Sequence, residues 1–234
     1  MLDISHLQVI HEDNHLIAVN KPAGWLVHGD QTGDTPLSEY VKTYIKLRYK
    51  KPGDVFLGVI HRIDRPVSGV VLFARTSKGL ERMNKLFQER KVDKRYWAIT
   101  TKRPEPLEAK LEHYLLKDHE KNKTGAYDKV GRRTAKAKKA LLSYKMIAEI
   151  SGHHLLEVNP ITGRPHQIRA QLGKVGMPIK GDLKYGYPKP NQNACIHLHS
   201  RSLSFEHPVK KLPVKITANP PKDVNWDWFG DIFE

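Results

Sequence analysis

Apolar positions along the chain fall into short blocks, most with the two-residue repeat of a strand and three with helical spacing. Leu16 to Lys21 is an apolar run that ends at Pro22, which reads as a strand stopped by proline. Ala23 to Gly29 continues as a turn and a short extended piece. Leu37, Tyr40, Val41, Tyr44, Ile45 and Leu47 share one face of a helix, capped by Asp34 or Thr35 with Pro36 at its first position. Lys46, Arg48, Lys50 and Lys51 leave its far end positive, as solvated charge or as an RNA contact. The β-branched run up to Ala74 reads as a buried strand. Leu80, Met83, Leu86 and Phe87 mark a second helix opened by Thr76 or Ser77. Lys94 to Thr100 is a strand with Tyr96 and Ala98 on one face and Trp97 and Ile99 on the other.

From Arg103 to Ala137 the periodicity weakens. An exposed turn at Glu120–Gly125 and a positive run from Lys129 to Lys139 read as a mobile surface hairpin or an RNA contact. Ala140–Ile150, the turn Ser151-Gly152 and His153–Asn159 form a hairpin. A third helix opens at Pro165, with Ile168, Leu172 and Val175 on its buried face and Gly176 at its end. The Gly163-Arg164 turn before it makes its N-terminus a place for an anion. Pro178 to Gly186 is a glycine-rich loop, Ile196 to Phe205 a strand, and a hairpin around Pro208–Thr217 closes the domain. The tail Trp226-Asp227-Trp228-Phe229 either packs back on the body or marks a contact surface. Neither an internal repeat nor a low-complexity linker divides residues 1–234, so one domain is expected.

Charge changes the picture. The 234 residues carry a formal net charge of +15, and the pI is near 9.8. Lysine and arginine are spread along the chain and interleaved with tyrosine and tryptophan, which points to a folded surface facing phosphates, as in RNA. The single cysteine, Cys195, excludes an internal disulfide and reads as a buried thiol in a reducing compartment. The start lacks a signal-peptide pattern, and no apolar run reaches the length of a membrane span, so a soluble cytoplasmic protein is expected. His153-His154 and His197-Leu198-His199 read as strand histidines. No cysteine pair or His-x-Glu completes a metal site, and no metal is expected.

The chemistry centres on Asp64. In His61-Arg62-Ile63-Asp64-Arg65-Pro66-Val67-Ser68-Gly69, a polar loop carries one carboxylate between two arginines and runs into the buried strand. Pro66 and Gly69 stiffen and turn the loop, and the arginines favour the ionised carboxylate. Such a group suits a nucleophile or base acting on an anionic substrate; alone, it reads first as the salt-bridge anchor of a loop. Tyr96 serves either packing or the stacking of a base.

Three stretches together resemble the RluA-type pseudouridine synthases: His61 to Gly69, Lys94-Arg95-Tyr96-Trp97-Ala98, and Thr162-Gly163-Arg164-Pro165-His166-Gln167-Ile168-Arg169. Asn20-Lys21-Pro22-Ala23-Gly24 and Pro178-Ile179-x-Gly181-Asp182 match in the same order, so the resemblance covers about His11 to Thr217, with 218–234 as a tail. Ile63 stands where leucine is usual and Val67 where threonine is usual. The resemblance implies an α+β fold, with a mixed, mostly antiparallel central sheet and flanking helices and loops around a catalytic cleft. It implies an RNA uridine isomerase that breaks the N1–C1′ bond, turns the base and rejoins it through C5, without cofactor or metal. By the same resemblance, Asp64 is the catalytic aspartate, Tyr96 packs on the target base and assists proton abstraction, and Arg169 pairs with the aspartate. Ile168 lines the pocket, and Arg62 fills the gap left by the flipped nucleotide. Arg65, Arg164 and His166 join these two as substrate-binding candidates.

The expected partner is rRNA or tRNA, and a monomer is the default. Many relatives carry an N-terminal S4 domain; here the chain starts almost at the catalytic domain. Target choice is therefore expected to rest on the cleft and the basic segments, or on another protein. The rival is a non-catalytic RNA-binding protein or RNA chaperone on the same scaffold, against which Asp64, Tyr96 and Arg169 argue together. A zinc deaminase needs a cysteine pair that one cysteine cannot supply.

Overall fold

A computed structural model describes residues 2–30, 32–191 and 194–232. In chain order its elements are β1 (Gln8–Glu12), β2 (Leu16–Lys21), α1 (Leu37–Arg48), β3 (Gly58–Val59), β4 (Ser68–Ala74), α2 (Ser77–Gln88), β5 (Asp93–Thr100), β6 (Glu108–Asp118) and β7 (Lys123–Tyr127). There follow β8 (Lys138–Ile150), β9 (His153–Pro160), α3 (Gln167–Lys174), β10 (Leu198–Glu206), β11 (Pro213–Thr217) and α4 (Val224–Asp227). The α+β class read from the sequence is the one observed. The chain divides into two compact units, Met1–Asp93 with Ser200–Pro221 and Lys94–His199 with Lys222–Glu234.

In the first unit the strands run β1-β2-β4-β10, with β3 on β4 and β11 on β10. β2 and β4 pair antiparallel from Leu16↔Ala74 to Lys21↔Gly69. The apolar runs Leu16–Val19 and Val70–Ala74 are fully buried, because both faces of the sheet are covered there. On one face Leu16, Ala18, Val70 and Leu72 pack with Met83, Leu86 and Phe87 of α2, whose Thr76 cap accepts the Gly79 N–H (3.1 Å). Gly69 has φ +112°, and a Cβ there would meet the Ser200 carbonyl oxygen at 2.3 Å, so only glycine lets the two strands approach.

α1 starts one residue later than read, with extended Pro36 at the N-cap and no side-chain cap. Backbone carbonyls replace the expected Asp34 or Thr35: Leu37 N–H donates to Leu26 O (2.7 Å) and Ser38 N–H to Val27 O (3.2 Å). Leu47, assigned to the buried face, is 44% exposed. The periodicity overran the packed part of the helix. β1, a strand the apolar pattern did not show, pairs with β2 through a bulge between Val9 and His11.

In the second unit the strand order is β5-β9-β8-β6-β7, each neighbour antiparallel. The hairpin read over residues 140–159 is β8–β9. Ser151 and Gly152 both take positive φ (50° and 71°), as a two-residue turn between right-twisted strands requires. The weakly periodic segment 103–137 is more regular than read: β6 and β7 pair from Tyr114↔Tyr127 to Asp118↔Lys123, and β6 then lies along β8. The helix read from Pro165 begins at Gln167, after His166 in the left-handed conformation (φ 52°). It is buried all round over Gln167–Leu172, whereas Val175, assigned to its core face, is 37% exposed. Gly176 (φ 77°) does end it, with Met177 N–H on Leu172 O (2.9 Å).

The tail packs back. Trp226 and Phe229 join Trp97, Ile99 and Leu155 in one apolar cluster. Cys195 is half-buried rather than buried. No helix among the described residues is long and apolar enough to cross a membrane.

Candidate active site

Each unit carries a part of the predicted site. In the first, Asp64 sits on the loop between β3 and β4. Buried Ile63 and Val67 anchor that loop on either side of it, and Val67 N–H closes a turn on Asp64 O (3.1 Å). His61 pins its start: Nε2 accepts the Leu72 N–H (3.0 Å), and the ring stacks on Phe87 at 5.2 Å. The carboxylate is thus carried on short, anchored backbone, which fixes a reacting group at little further entropic cost.

The two arginines that flank Asp64 engage the 24–34 segment. Arg62 lies against His28, NH1 to Nε2 2.8 Å. Arg65 donates from Nε to Gly24 O (2.9 Å) and pairs through NH2 with Asp34 (2.7 Å), while Gly24 N–H returns to Arg65 O (2.7 Å). Their work is to stitch the Asp64 loop to the 24–34 segment, which Trp25 in turn holds on Tyr40 of α1 at 4.5 Å.

A cation that the sequence reading left without a role stands here. Lys21 ends β2 completely buried, its Nζ donating to Pro22 O (3.0 Å), Trp25 O (2.8 Å) and Arg65 O (3.1 Å). Burial pulls its pKa down to about 7; the negative charge of Asp64 opposes that shift and the positive charge of Arg65 adds to it. The signal was available: a lysine inside an otherwise apolar strand, directly before proline, has to find acceptors when the strand is buried.

In the second unit Tyr96 lies on β5, opposite Val158 and half-buried, on the face away from Trp97. Arg169, three residues into α3, is buried and makes a bidentate pair with Asp182, Nε to Oδ2 2.7 Å and NH2 to Oδ1 2.9 Å. Its guanidinium also lies 5.1 Å from the centre of the Tyr185 ring. Burial raises the pKa of that tyrosine. Ile168 beside it is buried. Asp182 was read as the end of a motif in the resemblance and Tyr185 as part of a glycine-rich loop, neither with a role; their roles depend on a helix that precedes them in sequence and meets them only in the fold.

The stretch leading into α3 is tied by Gln167. Its Oε1 accepts the Thr162 hydroxyl (2.7 Å) and the Arg164 N–H (3.0 Å), and its Nε2 donates to Leu141 O (2.9 Å). Arg164 reaches Lys139 O (3.2 Å), and His166 Nδ1 lies 2.7 Å from the Tyr185 hydroxyl. Asp64, Arg62, Arg65 and Lys21 therefore belong to one unit, and Tyr96, Arg164, His166, Ile168 and Arg169 to the other.

Among the described residues no group of three or more His, Cys, Asp or Glu side chains is arranged to hold a metal. The paired histidines have structural partners instead: His153 meets Ser151 O (3.0 Å) and Trp228, while His197 bridges Asp223 (2.9 Å) and Asn191 (2.8 Å).

Comparison with known proteins bears on this arrangement. The family model described as RNA pseudouridylate synthase matches residues 15–174. The tRNA pseudouridine synthase C of Salmonella typhi is 32% identical over 231 residues, covering 91% of this chain and 85% of that protein. The ribosomal large subunit pseudouridine synthase C of Buchnera aphidicola is 30% identical over 219 residues, and the match spans 90% of this chain but 66% of that protein. Among solved structures, human RNA pseudouridylate synthase domain containing 4 superposes with a TM-score of 0.77 at 25% identity, over 95% of this chain and 92% of that one.

Proposed function

The chain belongs to the RNA pseudouridylate synthase family, enzymes that are RNA isomerases, and we propose that it converts specific uridines of rRNA or tRNA to pseudouridine with Asp64 as the catalytic carboxylate. The observation that carries this reading is the family match over residues 15–174, which includes Asp64 on its anchored loop, Tyr96 and buried Arg169.

The target uridine is stacked in its RNA and has to be turned out, at a cost of a few kcal/mol offset by contacts to base and phosphates. In this proposal the two units act as one catalytic domain. Asp64 works at the C1′–C6 edge of the flipped nucleotide, and Arg169, oriented by Asp182, keeps the carboxylate charged. Tyr96 packs on the base and takes part in removing the C5 proton; Ile168 lines the pocket, and Arg62 enters the gap in the stack. Arg65, Arg164 and His166 bind the substrate backbone. The N1–C1′ bond breaks, a C5–C1′ bond forms, C5 loses its proton and N1 gains one. Every heavy atom of the nucleotide is retained and the proton lost at C5 is matched by one gained at N1, so the reaction calls for no co-substrate. The proposal places the enzyme in the cytoplasm as a monomer.

Tritium release from RNA labelled at uridine C5 tests the reading, on tRNA and rRNA separately. Wild type should release tritium and Asp64→Asn should not, with RNA binding retained. Equal release by the variant removes Asp64 from its role. Salt-sensitive binding without release from either pool favours the non-catalytic RNA-binding alternative.

A further inference from the structure

Around Tyr185 the second unit gathers several cations. Lys123 Nζ lies 5.6 Å from the centre of the Tyr185 ring, on the side chain that Arg169 also approaches. Lys117 Nζ, from the facing strand of the β6–β7 hairpin, stands 3.5 Å from His166 Nε2 and donates to Asn122 Oδ1 at the hairpin tip. Lys184, in the short turn Leu183–Tyr185, donates to Asn122 O (3.0 Å) and so joins the same tip.

The carboxylates nearby are engaged elsewhere. Asp182 holds Arg169, and Asp118, opposite Lys123 in register, accepts the Lys121 backbone N–H (3.0 Å). Among the described residues no carboxylate pairs with Lys123 or Lys184. In the same unit Lys139 pairs with Glu112 (2.7 Å) and Lys174 with Asp128 (2.9 Å), so lysines here do take carboxylates where these are in reach.

The cluster is also rigidly mounted. The Tyr185 hydroxyl accepts the Thr124 N–H of β7 (2.8 Å), which ties the hairpin to the turn after α3. Next to it the buried Thr124 hydroxyl has no hydrogen-bond partner among the described residues, a polar atom left over at the foot of the cluster. Collecting like charges opposes folding. An anion supplied from outside reverses that term.

We propose that Lys117, Lys123 and Lys184, with His166 beneath them, form a binding site for a backbone phosphate of the RNA. This rests on the RNA reading above and extends it to residues on the hairpin. Bound there, a phosphodiester registers the strand beside Arg169. The site acts in binding, so its loss raises KM and leaves kcat at saturating RNA unchanged.

The test is equilibrium binding of bulk tRNA to Lys123→Glu/Lys184→Glu, measured by anisotropy across a salt series. A control, Lys85→Glu/Lys215→Glu, makes the same change in net charge on the first unit. The site variant should bind about tenfold more weakly, and its log K against log salt slope should be shallower by roughly one to two. Lys123→Gln/Lys184→Gln should fall between it and wild type, which guards against a disturbed hairpin. Loss of equal size in the control, or no loss in either site variant, overturns the proposal. Competition by millimolar inorganic phosphate as strong as that by equimolar RNA phosphate would assign the site to free phosphate and overturn it as well. Wild type that releases tritium while the Gln variant binds as tightly refutes this site alone. Wild type that releases none from any RNA refutes the synthase reading.

Discussion

Each unit buries one cation, and the two units stabilise theirs by opposite means. Arg169 has a dedicated carboxylate, Asp182, in bidentate contact. Lys21 has three neutral backbone carbonyls, with the charge of Asp64 acting on it as well. A guanidinium stays charged at any pH a protein meets, so the Arg169 cation itself does not titrate. An ammonium held by carbonyls keeps an exchangeable proton, and burial has brought its pKa to about 7. One unit thus holds a fixed charge and the other a titratable one, the latter under the influence of the Asp64 carboxylate.

The comparison breaks most visibly at Asp182. Asp182→Asn leaves a buried guanidinium without its counter-charge and should cost about 3–5 kcal/mol of stability. Arg169→Met/Asp182→Leu removes both charges and should recover most of that loss in urea titrations while releasing no tritium. If the single and double variants are equally unstable, the pair is not the unit described here.

Lys21→Met addresses the other side. A base whose folded-state pKa lies below its unfolded value weakens the fold fully at pH below about 7, and the penalty fades as pH rises toward 10.5. Wild type should therefore gain stability relative to Lys21→Met between pH 7 and 10, by up to about 1.4 kcal/mol per pH unit. A difference that stays flat with pH would show that Lys21 keeps its proton throughout. At Gly69, Gly69→Ala should cost about 1–3 kcal/mol from backbone strain alone, with the clash on Ser200 added, read as a lower melting temperature. The smallest effect belongs to the exposed Arg65–Asp34 pair: Asp34→Asn should change stability by about 0.2–1 kcal/mol, and less at high salt.

What the sequence made legible depended on locality. The Ser151-Gly152 turn, the Thr76 cap and the alternation around Trp97 are decided by neighbours a few residues away, and the structure has them as read. Asp64, Tyr96 and Arg169 stood out because a resemblance in motif order carried them. Lys21 with its carbonyls and Asp182 with Arg169 did not, since each partnership closes over a distance that no periodicity records. Leu47 and Val175 failed for a related reason: helical spacing tells which face is apolar, but not where the body it packs against ends.

The close approach of Gly69 to Ser200 has a consequence for how the chain is made. The first unit is assembled from Met1–Asp93 and Ser200–Pro221, so β4 lacks its β10 neighbour until roughly a hundred further residues have been synthesised. At about 5–20 residues per second, that leaves an apolar strand edge open for about 5–20 seconds on the ribosome. The last step in folding the first unit therefore waits for β10, and until then the open edge of β4 is exposed to unwanted strand pairing.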